Sequence, residues 1–339
     1  MQMNFTRRRM LGTTAVASLA TLVGRPTMAQ SVRWDMADEY GAQALSGQAA
    51  DFFIAELQRR IGDAVQITYQ GGGALGYKSA DHFDAVSSGA VQAAVTLLTQ
   101  LGGIDPLFNL SSLPFIANSP EDAYKLWQAA RAEYAKVFEE NGMVLLWAMP
   151  NPPSGVNAPV PITTRESLAG LRIRTYDVNG TKTLINAGAA PLQIAWADLI
   201  PQLSTGGINA VLTSADGAKQ LSLWDYVTDF TELNYAMGLF VCHVNKDEFD
   251  ALPEEVRAAM LDSVESCDLF NWENMVASIE AAYSVMRENG MTITMDDEVP
   301  AEVFAFLREA SAPVHEEWLA QTGDRGAVIL EAYEASRSS

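Results

Sequence analysis

The chain has 339 residues, 48% of them hydrophobic, and a formal net charge of −20 at pH 7. A chain of this length and composition buries a large core and suggests two domains. So strong an excess of acid excludes nucleic acid and anionic lipid as partners, because both repel it, and is most simply explained as a means of keeping the protein soluble.

The first 29 residues predict an export signal of the twin-arginine type. Thr6 and the arginines at 7–9 run directly into apolar side chains, and Thr27 and Ala29 offer small residues for cleavage. The apolar stretch 11–23 is too short for a membrane core, which needs roughly 20 residues. We therefore expect cleavage near Ala29 and a mature protein in a bacterial periplasm.

Short apolar runs rich in valine, isoleucine and aromatic residues predict strands at 32–36, 65–69, 91–98, 143–149, 171–176 and 208–213. Helical patterns lie between them: apolar residues recur every four positions from Leu45 to Leu57, and Ser119 and Pro120 are typical of a helix start. Two later stretches, 253–290 and 300–323, are long, acidic and helical. Alternating strands and helices indicate α/β lobes, and the proline-rich stretch 150–161 is a candidate crossing between them.

The glycines of segment 71–76 fit the dinucleotide-binding pattern G-x-G-x-x-G. That pattern also needs an acid at the end of the next strand to hold the ribose hydroxyls, and residues 91–100 contain none. An exported protein has no obvious supply of NAD either. We interpret the segment as a structural glycine bend.

Other signatures of metal sites and enzymes are missing from the sequence. The three histidines, His82, His243 and His315, are scattered, and there is no HExxH, CxxC or G-x-S-x-G motif. We therefore expect no metal, no cofactor and no enzymatic activity. The two cysteines, Cys242 and Cys267, would be able to pair in an oxidising compartment, and the sequence leaves that question open.

The segment 166–214 looks organised for recognition. It opens with an alternating strand in which Leu171 and Ile173 share one face and Arg172 and Arg174 the other. An arginine at the end of a strand that lines a cleft grips a carboxylate through two hydrogen bonds. Spacing alone favours the simpler interpretation, two solvated arginines on an exposed face.

Further short runs accompany this strand: a small-residue turn at 188–191, a helix start at 196–200, a turn at 203–211, the glycines at 72–76, residues 84–92, and the Leu-Pro-Phe at 113–115. With them the mature chain resembles the DctP-type periplasmic solute-binding proteins of TRAP transporters. The resemblance implies that Arg174 pairs with the carboxylate of a bound solute. It also implies a membrane permease as partner and a monomeric or homodimeric receptor.

The resemblance further implies an α/β fold of two lobes that close like a clamshell, with mixed sheets flanked by helices and one long helix spanning both lobes. Residues 30–150 and about 240–278 are expected to form the first lobe. Residues 151–239 and about 279–339 are expected to form the second.

The departures from the family pattern bear on the ligand. Carboxylate-binding members often carry a second arginine after the fourth strand, where residues 150–154 have no positive charge, and the turn's aspartate is replaced by Asn209. These differences argue against a sialic-acid-like or dicarboxylate solute. Large aromatic residues near the family's cleft instead suit a ligand with an apolar or ring-bearing body.

We therefore expect a monocarboxylate with an apolar or aromatic portion. The expected contacts are Arg174 with the aromatic residues Tyr40, Trp147, Trp196, Trp224 and Tyr235 and the polar residues Asn151, Thr213, Ser214 and Asp216. The acids Glu39, Asp216 and Asp225 leave room for an amine on the ligand. A receptor of another transporter class and an exported enzyme remain the alternatives.

Overall fold

The computed structural model describes residues 32–117 and 119–337, so the predicted export signal lies outside the described residues. Within them, no helix combines the length and apolar character needed to cross a membrane. The strands are β1 (Val32–Asp38), β2 (Val65–Gln70), β3 (Ala93–Leu97), β4 (Met143–Pro150), β5 (Ser154–Ala158), β6 (Arg172–Thr175), β7 (Ala190–Gln193), β8 (Ala210–Ser214), β9 (Asp229–Thr231), β10 (Leu239–Asn245) and β11 (Thr292–Thr294). The helices are α1 (Leu45–Ile61), α2 (His82–Ser87), α3 (Pro120–Glu140), α4 (Val178–Asn186), α5 (Leu199–Ser204), α6 (Ala215–Gln220), α7 (Lys246–Asp250), α8 (Glu254–Asp262), α9 (Val264–Glu288), α10 (Ala301–Thr322) and α11 (Asp324–Arg337).

The strands form two mixed sheets. One has the order β2-β1-β3-β10-β4 and the other β11-β9-β5-β8-β6-β7. In the first sheet β10 runs antiparallel to both neighbours, while β1, β2 and β3 are parallel. All residues of β3 and β10 are buried, as expected for central strands covered on both faces.

Each sheet is the centre of one lobe, which confirms the predicted two-lobed α/β fold with mixed sheets. The chain passes between the sheets at 150–154, again between 231 and 239, and along α9. Helix α9 contacts β4 of the first lobe and α6 and β11 of the second, so it is the long helix that spans both lobes. Along the helix, Trp272 and Met275 belong to the main hydrophobic core, which includes residues of both lobes, and Tyr283 and Met286 belong to a smaller core in the second lobe.

The C-terminal helices return to both lobes. Helix α10 contacts α4 and the 3-10 helix Pro106–Ser112, and α11 packs against α3. Thus α11 packs on a first-lobe helix, and α10 lies against both lobes. The residue limits of the lobes stay a prediction.

The glycine-rich segment after β2 is a bend that ties two loops together. Gly72 and Gly73 have φ angles of 69° and 68°, which side chains with a Cβ rarely adopt. Their N–H groups donate to the carbonyl oxygens of Tyr40 (2.7 Å) and Asp38 (2.9 Å). The bend therefore fixes the end of β1, from which Tyr40 projects.

Two buried histidines share one threonine in the first lobe. His82 Nδ1 lies 3.0 Å from Thr96 Oγ1, which lies 2.9 Å from His243 Nε2. Burial lowers the pKa of His82 to about 4 and that of His243 to about 3, and repulsion from His82 adds to the second effect. Both imidazoles are therefore neutral in the folded protein.

We expect this pair to make the protein acid-sensitive. Below pH 6.5 the unfolded chain protonates both histidines, while the folded chain resists protonation until about pH 4 to 3. The stability that the two neutral histidines contribute is therefore complete above pH 6.5 and is lost as the pH falls, by roughly 2–3 kcal/mol per histidine at pH 4.5. Urea unfolding at pH 7 and 4.5 measures the fall, which a His82→Gln/His243→Gln variant should reduce; an identical fall in both proteins would contradict this account.

The cysteines Cys242 and Cys267 are free thiols, and both are buried. Burial raises the pKa of Cys267 to about 12 and that of Cys242 well above its usual value. Neither thiol is therefore reactive in the folded protein at neutral pH.

Candidate functional site

A cavity lies between the two lobes, with about 510 Å³ of atom-free space that includes its opening to solvent. Its wall comes from both sheets and from the segments that connect them. The lining residues are Tyr40, Ala44, Leu45, Ser46, Leu97, Met149, Asn151, Ser154, Arg174, Tyr176, Trp196, Thr213, Ser214, Gly217, Gln220, Gly238 and Phe240. A solute held here contacts both lobes at once.

Arg174 projects into this cavity from β6, between β7 and β8. Its side chain is only 2% exposed. Two backbone carbonyls hold the guanidinium: Nε donates to Ile194 O (2.9 Å) and Nη1 to Leu212 O (3.4 Å). Burial lowers the pKa of Arg174, but an arginine starts so far above neutrality that it stays charged. Nη2 has no backbone partner among the described residues.

Arg174 is the only charged side chain in the cavity wall formed by the described residues. Two acids near the cavity, Asp216 and Glu39, do not line it and are engaged in other contacts. The Asp216 carboxylate pairs with Lys219 Nζ at 2.7 Å and accepts from Gln220 Nε2 at 2.5 Å, and the Glu39 carboxylate accepts from two backbone N–H groups. The wall therefore carries one net positive charge.

The first turn of α1 adds to this positive character. Residues 44–46 line the cavity, and the helix begins at Leu45 with no side-chain cap and no acid in its first turn. A helix N-terminus carries a partial positive charge. Both lobes therefore present positive potential to the cavity.

Aromatic rings form much of the remaining wall. Tyr40 stacks on Trp196 across the lobes, with ring centroids 5.0 Å apart, and meets Phe240 edge-on at 4.9 Å. The Arg174 guanidinium lies 5.7 Å from the Trp196 ring and 5.9 Å from the Tyr176 ring. These flat surfaces suit a compact ring-bearing ligand.

The position of Tyr40 is set by the buried carboxyl of Asp38. It accepts from Tyr40 N at 2.9 Å and from the Tyr69 hydroxyl at 2.9 Å. Burial raises the pKa of Asp38 to about 7. Asp38 itself lies behind the cavity wall.

Uncharged polar groups complete the wall. The Asn151 side chain makes no hydrogen bond to any described residue, so its amide is free to donate and to accept. The Thr213 hydroxyl is likewise without a hydrogen bond within the described chain. Ser214 is partly occupied, because its Oγ caps α6 by accepting from Gly217 N at 3.2 Å.

Of the residues expected from the sequence to contact ligand, the structure places six in the wall: Tyr40, Asn151, Arg174, Trp196, Thr213 and Ser214. Five lie outside it. Trp147 packs against Phe53 in the core, Tyr235 packs against Phe115, and Trp224 lies against the second core. Glu39 and Asp216 are held by the contacts described above. Direct ligand contact by any of these residues stays a prediction.

Sequence reasoning did not anticipate several wall residues. Tyr176 lies two positions after Arg174, so the alternation of the strand would have indicated it. Ser46, Ser154, Gln220 and Phe240 reach the cavity only through the packing of distant segments. No local pattern marks them.

The described residues contain no cluster of side chains suited to a metal ion. Residues 36–322 match the model of the family described as bacterial extracellular solute-binding protein, family 7. The ectoine/5-hydroxyectoine-binding periplasmic protein UehA of Ruegeria pomeroyi is 24% identical over 339 residues, which cover 96% of this chain and 95% of that protein.

Two solved structures are also similar, and both are Bordetella pertussis extracytoplasmic solute receptors binding pyroglutamic acid. DctP7 is 29% identical with a TM-score of 0.86, and the match covers 90% of this chain and 100% of that chain. DctP6 is 26% identical with a TM-score of 0.86 and the same coverage. The chain therefore belongs to the DctP family of bacterial extracellular solute-binding proteins, and it is a solute receptor of the TRAP type rather than an enzyme.

Proposed function

We propose that this receptor captures a cyclic monocarboxylate of the size of pyroglutamate in the periplasm and delivers it to the membrane permease of a TRAP transporter. The observation that carries the proposal is Arg174, the single charged side chain that the described part of the chain places in the cavity wall. We infer export through a signal peptide cleaved near Ala29, in keeping with the periplasmic location in the relative's name.

Charge matching selects a monoanion. A buried charge is tolerated only when it is paired, so one arginine accommodates one carboxylate. A dicarboxylate would bury a second negative charge without a partner. A ligand amine would need a free acid in the wall, and the carboxylates of Glu39 and Asp216 are already engaged.

The shape and polarity of the wall favour a small ring with an uncharged polar group. The rings of Tyr40, Trp196 and Phe240 offer flat apolar contacts, and Asn151 and Thr213 offer free donors and acceptors. A lactam such as pyroglutamate has one N–H and one C=O, which an asparagine amide complements. The two pyroglutamate-binding relatives support this class of solute.

Capture requires the lobes to close on the solute. The carboxylate partner Arg174 belongs to the second lobe, whereas Tyr40 and Phe240 belong to the first. A solute that contacts both sides stabilises only the closed arrangement, and this differential contact drives closure.

A panel of related solutes tests the proposal. Pyroglutamate should raise the unfolding temperature, with stabilisation of about 2.7 kcal/mol at a hundredfold excess over Kd. 2-Pyrrolidinone, the same ring without a carboxylate, should have no effect, and proline should bind far more weakly because its ammonium finds no acid. Thermal shift and calorimetry measure these three solutes and ectoine. Proline or ectoine binding as tightly as pyroglutamate would refute the charge argument.

A further inference from the structure

Glu39 joins the two lobes beside the cavity. Its Oε2 accepts from Ser79 N at 3.0 Å, and its Oε1 accepts from Ala197 N at 3.2 Å. Ser79 begins a 3-10 helix that packs on β3 in the first lobe, and Ala197 lies in the 3-10 helix Trp196–Asp198 that follows β7 in the second. One carboxylate thus bridges two backbones that belong to different sheets.

The Glu39 bridge and the ion pair next to it differ in their exposure to solvent. The Glu39 side chain is buried, whereas the adjacent inter-lobe pair, Lys78 Nζ to Asp198 Oδ2 at 2.7 Å, has side chains 45% and 54% exposed. Hydrogen bonds to a buried charge contribute far more than an exposed ion pair. Of these two polar contacts between the lobes, the Glu39 bridge is therefore the stronger.

The bridge also lies beside the aromatic wall. Glu39 precedes Tyr40 and Ala197 follows Trp196, so the polar contact between Glu39 and Ala197 lies next to the ring stack between Tyr40 and Trp196. When the lobes separate, the contact with Ser79 stays within the first lobe, whereas the contact with Ala197 and the ring stack are lost. Both lost contacts exist only in the closed form.

We propose that Glu39 is a positioning residue that latches the closed receptor by holding the 196–197 turn against the first lobe. The proposal rests on the proposed function, because it assumes closure around a solute. The two oxygens of Glu39 accept from these N–H groups and make no hydrogen bond to Arg174 among the described residues, which leaves the guanidinium to the solute. Ligand affinity therefore depends on a residue that does not line the cavity.

Two variants test the latch. Glu39→Gln keeps the size but replaces one acceptor oxygen with a donor, and Ala197→Pro removes the opposing N–H at an exposed residue. We expect each to weaken pyroglutamate binding by about ten- to a hundredfold, mainly through faster dissociation. Lys78→Ala, which removes the exposed pair across the same interface, should cost less than about fivefold.

Inter-lobe distances separate a latch from a general loss of stability. Nitroxide labels are attached at Glu140→Cys and Thr205→Cys, which are exposed residues of the first and second lobes. Pulsed electron paramagnetic resonance then measures the distance between the labels, which shortens when the lobes close. With pyroglutamate, Glu39→Gln should retain a larger open population than the wild type, while the unfolding temperature of the ligand-free protein changes little. Wild-type affinity and closure in both variants would overturn the proposal.

The same labels distinguish this proposal from the proposed function. Failure of the wild type to bind pyroglutamate would count against the function alone. The latch would then be tested on the ligand-free protein. There the wild type should populate a short distance between the two labels, and Glu39→Gln should lose it. Identical ligand-free distributions in that case would overturn the latch.

Discussion

Replacing Arg174 with alanine is expected to weaken pyroglutamate binding by about 100- to 1,000-fold. The solute would enter a closed cavity with its carboxylate desolvated and its charge unpaired, since no other described residue of the wall is charged. Arg174→Lys should recover only part of the affinity, because an ammonium keeps the charge and loses the planar fork. Calorimetry measures both variants.

Arg172→Ala is the matched control for this experiment. Arg172 lies on the same strand as Arg174, and its side chain is exposed. Removing it deletes an arginine from β6 without touching the cavity, so binding should stay at the wild-type level. Wild-type affinity in Arg174→Ala would remove the main support for the proposed function, and an equal loss in both variants would point to a general effect of charge.

Removing the indole of Trp196 is the second substitution for which we expect a large loss of affinity. Trp196→Ala abolishes the stack with Tyr40 across the lobes and opens the aromatic wall, so we expect affinity to fall by about 10- to 100-fold. Trp196→Phe keeps an aromatic ring and should lose less than about fivefold. Titration calorimetry with pyroglutamate gives the comparison.

Trp224→Ala controls for the loss of a tryptophan as such. Trp224 packs against the second core and does not line the cavity. It should lower the unfolding temperature and leave affinity unchanged. A reversed pattern, with binding lost in Trp224→Ala and kept in Trp196→Ala, would contradict the placement of the ligand between the lobes.

Those parts of the fold that depend on local patterns were predictable. The four-residue spacing from Leu45 to Leu57 corresponds to the buried face of α1. The predicted start of α3 is confirmed, because Ser119 Oγ accepts from Asp122 N at 3.1 Å and Pro120 is the first helical residue. Strands as short as β9 and β11 are too brief to show a period, and their pairing depends on residues about 60 positions apart.

The site was harder to predict, because the wall of a cavity and a hydrophobic core are built from similar residue types. Tryptophans 147 and 196 look alike in sequence, yet one is buried against Phe53 and the other lines the cavity. Spacing alone favoured an exposed Arg174, and only the family resemblance indicated its buried role. The pairing of Asp216 with Lys219 and Gln220 could have been predicted from the sequence, since both follow it at helical spacing.

The central place of β10 has a consequence for the order of folding during synthesis. This strand lies between β3 and β4, so the first sheet lacks a middle strand until residue 245 has left the ribosome. By then the second sheet lacks only β11 at its edge. The lobe that begins the chain therefore finishes folding after much of the other has formed. A fragment ending before β10 holds the three-stranded sheet β2-β1-β3 with an unpaired edge at β3, and a β4 strand without its partner, which is a form prone to aggregation.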